Sequence, residues 1–167
     1  MSRRLLCTVL FTAGLCFAAQ AQEPLPSVQE VMSENKEKIK NQIEALNYKR
    51  KRMVEANMEL DSEQAEAFWP IYTRYRNEMD GLNKDSFQLL VEYARAYGSG
   101  AVSNEEAAGM IKTYKALHEK QQKVLYRYID EVAQQMSPKI AMRFLQIEAQ
   151  LDAAEVLQTG QQVPLLK

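Results

Sequence analysis

The sequence predicts an all-α protein: four main helices in long antiparallel hairpins, forming an elongated, curved layer that dimerises. Two observations carry that prediction. Glycine and proline are few, 6 and 5 in 167 residues, and they gather at a handful of places, so the chain reads as long segments separated by sharp breaks. Within the segments apolar residues recur at three- and four-residue steps, the spacing of one helix face, and no stretch alternates as a strand would.

The first element precedes the helices. Arg3 and Arg4 stand before an apolar run from Leu5 to Ala19 that ends in Ala19-Gln20-Ala21, the pattern of a secretory signal peptide over residues 1–21. The run is short for a membrane span. Both cysteines, Cys7 and Cys16, fall inside it, so the exported chain from about Gln22 carries no thiol for a disulfide, a metal or a nucleophile. An exported domain without cross-links suits a bacterial periplasm. A single helical domain over residues 22–160 has the length to be held by its own core.

Val28, Val31, Met32, Ile39, Ile43, Leu46, Met53, Val54 and Met58 predict a first helix from about Ser27 to Met58. The second starts at Asp61, whose carboxylate can accept from the first-turn amides while Gln64 reaches back, a variant capping box with Leu60 stapled onto it. Its stripe (Ala65, Phe68, Tyr72, Tyr75, Met79, Leu82, Leu89, Tyr93) stays in register past Pro70 to Gly98-Ser99-Gly100. The register favours one helix bent at Trp69-Pro70 over two separate helices. Ser103 with Glu106 opens a third helix that ends near Met136, and Ser137-Pro138 opens a fourth that Gly160 closes. Residues 161–167 form an extended tail. Rods of this length leave apolar surface uncovered, which predicts a dimer or a client-binding face.

Two helix starts share a form. The first reads Leu60-Asp61-Ser62-Glu63-Gln64 and the second Met136-Ser137-Pro138-Lys139-Ile140. Together with "FWPIY" at 68–72 and "RFLQIE" at 143–148, they resemble the LTxxQ-motif family of Spy/CpxP-like periplasmic proteins, in a branch carrying FWPxY. The resemblance implies a dimeric four-helix cradle with apolar and basic residues on its concave face. It also implies an ATP-independent chaperone or envelope-stress adaptor, without cofactor, that binds unfolded or misfolded periplasmic proteins. An alternative is a regulatory partner of an envelope sensor protein, and a second alternative is a metal-responsive sensor.

The chemistry-bearing residues favour binding over catalysis. His118 is the single histidine, and without a thiol or a Gly-rich phosphate loop no triad or zinc site assembles, so no catalytic residue is assigned. Methionines at 32, 53, 58, 79, 110, 136 and 142 could hold copper(I) as thioethers. Most of them fall on or beside the apolar stripes, where filling the core is the simpler role. Lys36 to Arg52 holds seven basic residues against Glu37 and Glu44, and export removes this run from cytoplasmic nucleic acid. Lys49, Arg50, Lys51 and Arg52, with Trp69, Arg74 and Arg76, are the candidate partner-binding residues, suited to acidic clients or an anionic membrane surface.

Overall fold

A computed structural model describes residues 27–100, 102–161 and 163–166. The signal peptide expected over residues 1–21 lies outside them. Four of the five helices start where a short polar side chain takes up an orphaned first-turn amide. Ser27 accepts from the Glu30 amide at 3.2 Å and opens α1, Val28–Glu34. After Asn35 comes α2, Lys36–Met58. Asp61 accepts from the Gln64 amide at 2.9 Å while the Gln64 side chain accepts from the Asp61 amide at 3.2 Å, and this box opens α3, Ser62–Gly98. Ser103 and Glu106 pair in the same way at the head of α4, Asn104–Gln135. The Ser137 hydroxyl accepts from the Ile140 amide at 3.2 Å at the start of α5, Pro138–Gly160. Asp61→Ala should therefore cost about 1 kcal/mol. A lower urea midpoint for Asp61→Ala, with Asp61→Asn close to the parent, is the expected pattern.

The four-helix expectation is corrected: the fold is all-α with five helices, and no strand occurs among the described residues. The single first helix expected over 27–58 divides at Asn35, which sits at φ −100°, ψ 11°. Its side-chain amide donates to the Val31 carbonyl at 2.9 Å. That bond competes with the helical ladder, the usual reason asparagine is poor inside helices. The open layer is corrected with it. The second helix and the last are neighbours: α2 packs on α5, α5 on α4 and α4 on α3, around a shared core, while α1 lies beside the end of α3.

The termini of the long helices explain how they fold back. Glu59, at φ 51° and ψ 48°, ends α2 in the left-handed region, and Leu60 and Asp61 complete a tight reversal into α3. Gly100, at φ 94°, follows α3 in a conformation open to glycine at little cost. Cross-helix pairs set the directions. Arg143 meets Glu59 at 2.7 Å and Arg50 meets Asp152, so α2 and α5 run antiparallel. Gln121 reaches Asn83 at 3.2 Å and Arg127 reaches Glu78, so α3 and α4 do as well.

The core gathers Phe68, Ile71, Tyr72, Tyr75 and Met79 of α3, Val124, Leu125, Tyr128 and Val132 of α4, and Ala141, Phe144 and Ile147 of α5. Phe144 is its hub, with its ring edge-on to Phe68 at 5.3 Å and to Tyr75 at 5.5 Å, the geometry aromatic quadrupoles favour. The first two helices contribute little. α1 buries no residue, and α2 buries Arg50, Val54 and Met58, all in its C-terminal part.

Candidate functional site: a buried cation between three helices

On α2, Arg50, Val54 and Met58 follow one another at four-residue steps and share the face that meets the core. α5 answers with Glu148, Asp152 and Glu155, which line one of its own faces at steps of four and three. The Arg50 fork spans all three. Its Nη2 lies 2.8 Å and its Nε 3.2 Å from Glu148 Oε2, Nη2 also donates to Asp152, and Nη1 lies 3.3 Å from Glu155 Oε2. From α3, the Tyr75 hydroxyl donates to the same Glu148 oxygen at 2.7 Å. Glu148 is fully buried, and Arg50 is 8% exposed.

Burial pulls the Arg50 guanidinium down, but the charges of Glu148 and Asp152 and their hydrogen bonds outweigh it and hold the group above its ordinary range. The Tyr75 phenol is pushed up by burial first, then by the Glu148 charge and by its own bond to that carboxylate. Tyr72 is raised too, by burial and then by Glu148. Among the described residues, the buried side-chain atoms Glu148 Oε1, Tyr72 Oη and Arg76 Nε find no hydrogen-bond partner. Each such atom costs about 1–3 kcal/mol when its hydrogen bond goes unmade.

Two of these orphans, Tyr72 Oη and Arg76 Nε, share a seam between α2 and α3. Arg76 donates to Asn47 of α2 at 3.0 Å and to Asp80 at 3.2 Å, and Asn47 donates to Asp80 at 2.6 Å. Tyr72 and Arg76 line a hollow of about 230 Å³ between α2 and α3, together with Asn47, Tyr48, Lys51 and Asp80. The α2 face against the body is thus held by polar bonds along one side and by Arg50 along the other.

The structure separates the residues singled out as a basic patch. Lys49 is exposed, whereas Arg50 turns inward and is spent on α5. Lys51 lies 3.9 Å from Glu55 and 5.4 Å from the centroid of the Trp69 ring, so these two candidates do meet. Arg52 pairs with Glu55 at 3.0 Å, Arg74 pairs with Glu131 of α4, and Arg76 is buried on the seam. Trp69 is half-buried and Pro70 exposed, within a helix that continues unbroken through both. Leu60 and Met136, ahead of the two caps, pack partly buried against the core.

Sequence reading missed Glu148, Asp152, Tyr72 and Tyr75 as members of a polar site. A signal was present, because Glu148 is in helical register with Ala141 and Phe144, and a carboxylate on a core stripe calls for a cation. Among the described residues, no group of three or more His, Cys, Asp or Glu side chains is placed to hold a metal ion. Met58 and Met79 are buried in the core, and Met53 and Met142 are exposed on different helices. His118 is exposed and stacked on Tyr114, 6.1 Å between ring centroids. No helix among the described residues is long and apolar enough to cross a membrane.

Compared with known proteins, the chain matches no family model, no curated protein and no solved structure. The resemblance to the LTxxQ-motif family therefore rests on the short motifs quoted for it, and these comparisons add nothing to it.

Proposed function

We propose that this protein binds unfolded or partly folded chains at the cell envelope without using a nucleotide. The observation that carries the reading is the outer surface of α2. Leu46 and Met53, 53% and 51% exposed, lie two turns apart on one face of it, and Tyr48, 67% exposed, stands on the other flank beside the hollow at α3, with the exposed cations Lys49, Lys51 and Arg52 among them in the chain. Single exposed apolar residues are ordinary, but large ones grouped on one helix mark an interaction surface. Flanking cations add long-range attraction for acidic segments and keep the face wetted when it is empty. Methionine and tyrosine adapt to irregular partners, as a surface that takes many sequences requires.

The test is suppression of aggregation. The protein should slow precipitation of a chemically denatured client at a near-stoichiometric ratio without ATP, and a Leu46→Ser, Tyr48→Ser, Met53→Ser variant should lose most of that effect while melting like the parent. No slowing at several-fold excess would remove the chaperone reading. Capture of one dominant partner from envelope extracts, in place of a spread of clients, would favour a regulator of a sensor protein.

A further inference from the structure

α2 joins the core only through its C-terminal part, where Val54 and Met58 are buried. Its N-terminal part, residues 36–49, buries no side chain, and α1 before it buries none. It joins α3 through a short reversal whose first residue, Glu59, holds a left-handed conformation that a side chain disfavours. What binds it to the body is Val54, Met58, the Arg50 fork, the polar seam of Asn47, Arg76 and Asp80, the Lys51–Trp69 contact and the Glu59–Arg143 pair, while α1 rests against α3.

Those polar contacts are of the kind that gain least from being closed. Separating Arg50 from Glu148 returns both charges to water, which offsets much of the attraction lost. Opening would also give water access to Glu148 Oε1, Tyr72 Oη and Arg76 Nε, buried atoms without a partner among the described residues in the closed form.

Beneath α2 lies a surface with a definite chemistry. Phe68, Tyr72, Tyr75 and Phe144 form an aromatic floor, and Glu148, Asp152 and Glu155 run along one edge. We propose that α1 and α2 form a strap that lifts about Glu59 and uncovers this floor, which then receives a basic amphipathic segment of a client chain. The strap itself shows the pattern of the occupant: a cation, then apolar residues four and eight positions later, as in Arg50, Val54 and Met58. The edge carries three carboxylates for the single guanidinium it now holds, so a client richer in cations than α2 can displace it. The inference deepens the proposed binding of unfolded chains by adding a second, acidic surface that the closed form hides.

The experiment uses the full chain with Cys7→Ser and Cys16→Ser, into which Asn47→Cys and Asp80→Cys are introduced and joined by a short thiol-reactive bridge. Two probes are applied, a synthetic peptide of residues 46–58 and the denatured client. In the chain that keeps Asn47 and Asp80, amides of Lys36–Met58 should exchange together and faster than those of Val124–Val132. The peptide should bind, and bridging should weaken it by about tenfold or more, a change large against ordinary surface effects. Asp152→Asn with Glu155→Gln should weaken it several-fold, and a peptide carrying Arg50→Glu should not bind. Exchange of α2 as slow as that of α4, or peptide affinity unchanged by bridging, overturns the strap. Client protection that survives bridging overturns it while leaving the exposed face as the binding surface. Absence of client protection in both forms tells against the proposed function, and peptide binding then still decides whether the strap opens. Concentration-dependent dimers in which the bridge forms between chains would make a second copy the occupant and overturn the client assignment.

Discussion

Arg50→Ala is expected to release α2 from the body. Removing one partner of a buried, hydrogen-bonded ion pair leaves the other charge uncompensated and costs about 3–5 kcal/mol. Here the stranded charge would be Glu148, fully buried beneath α2. Because α2 buries few side chains, the cheapest response is to lift the helix and hydrate the carboxylate while α3, α4 and α5 stay packed. Amide protection should collapse across Lys36–Met58 and persist around Val124–Val132, with a smaller fall in the urea midpoint than a core lesion causes. The double replacement Arg50→Met with Glu148→Leu removes both charges and should close the helix again. Uniform loss of protection in Arg50→Ala would show that α2 is integral to the core.

Phe144→Ala should act on the whole molecule. Phe144 is fully buried and packs against the rings of Phe68, Tyr72 and Tyr75, so truncation removes contacts to three aromatic rings of α3 and opens a cavity in the core. Losses for such changes are about 3–5 kcal/mol. A urea titration should show a lower midpoint at an unchanged slope, and Phe144→Leu, which refills much of the space, should recover a good part of the difference. A midpoint within experimental error of the parent would mean that the floor is far more adaptable than its packing indicates.

Set side by side, these two residues show what could be read from the sequence. Phe144 was visible, since it continues a stripe with Ile140, Ile147 and Leu151, and periodicity is what a packed helix imposes on its sequence. The caps at Asp61, Ser103 and Ser137 were visible for an equally local reason, a short polar side chain one turn ahead of its partner amide. Arg50 was not. In the run Tyr48 to Arg52 each cation looks like its neighbours, and only the rotation of α2 against α5 decides which one faces inward. Glu148 could be placed on the core stripe by its register with Ala141 and Phe144, but which cation answers it could not, because that partner lies on another helix. The break at Asn35 was hidden by a stripe that stays in register across it, so the apolar spacing carried no trace of the side-chain bond to Val31. Closure of the helices around a core, in place of an open layer, depends on α2 meeting α5, a contact between distant segments that local pattern does not encode.

The separation of Arg50 from Glu148, 98 residues along the chain, sets an order of assembly. Synthesis delivers α2 early and its counter-charges late, so for most of the time the chain is being made the guanidinium has nothing to grip. The hairpin of α3 with α4 can form from near neighbours, whereas docking α2 must close a long loop and wait for α5, the last helix to appear. Closure thus reports that α5 has been made: a chain cut short before Glu148 would keep α2 undocked and would be recognisable to proteases by that exposed helix.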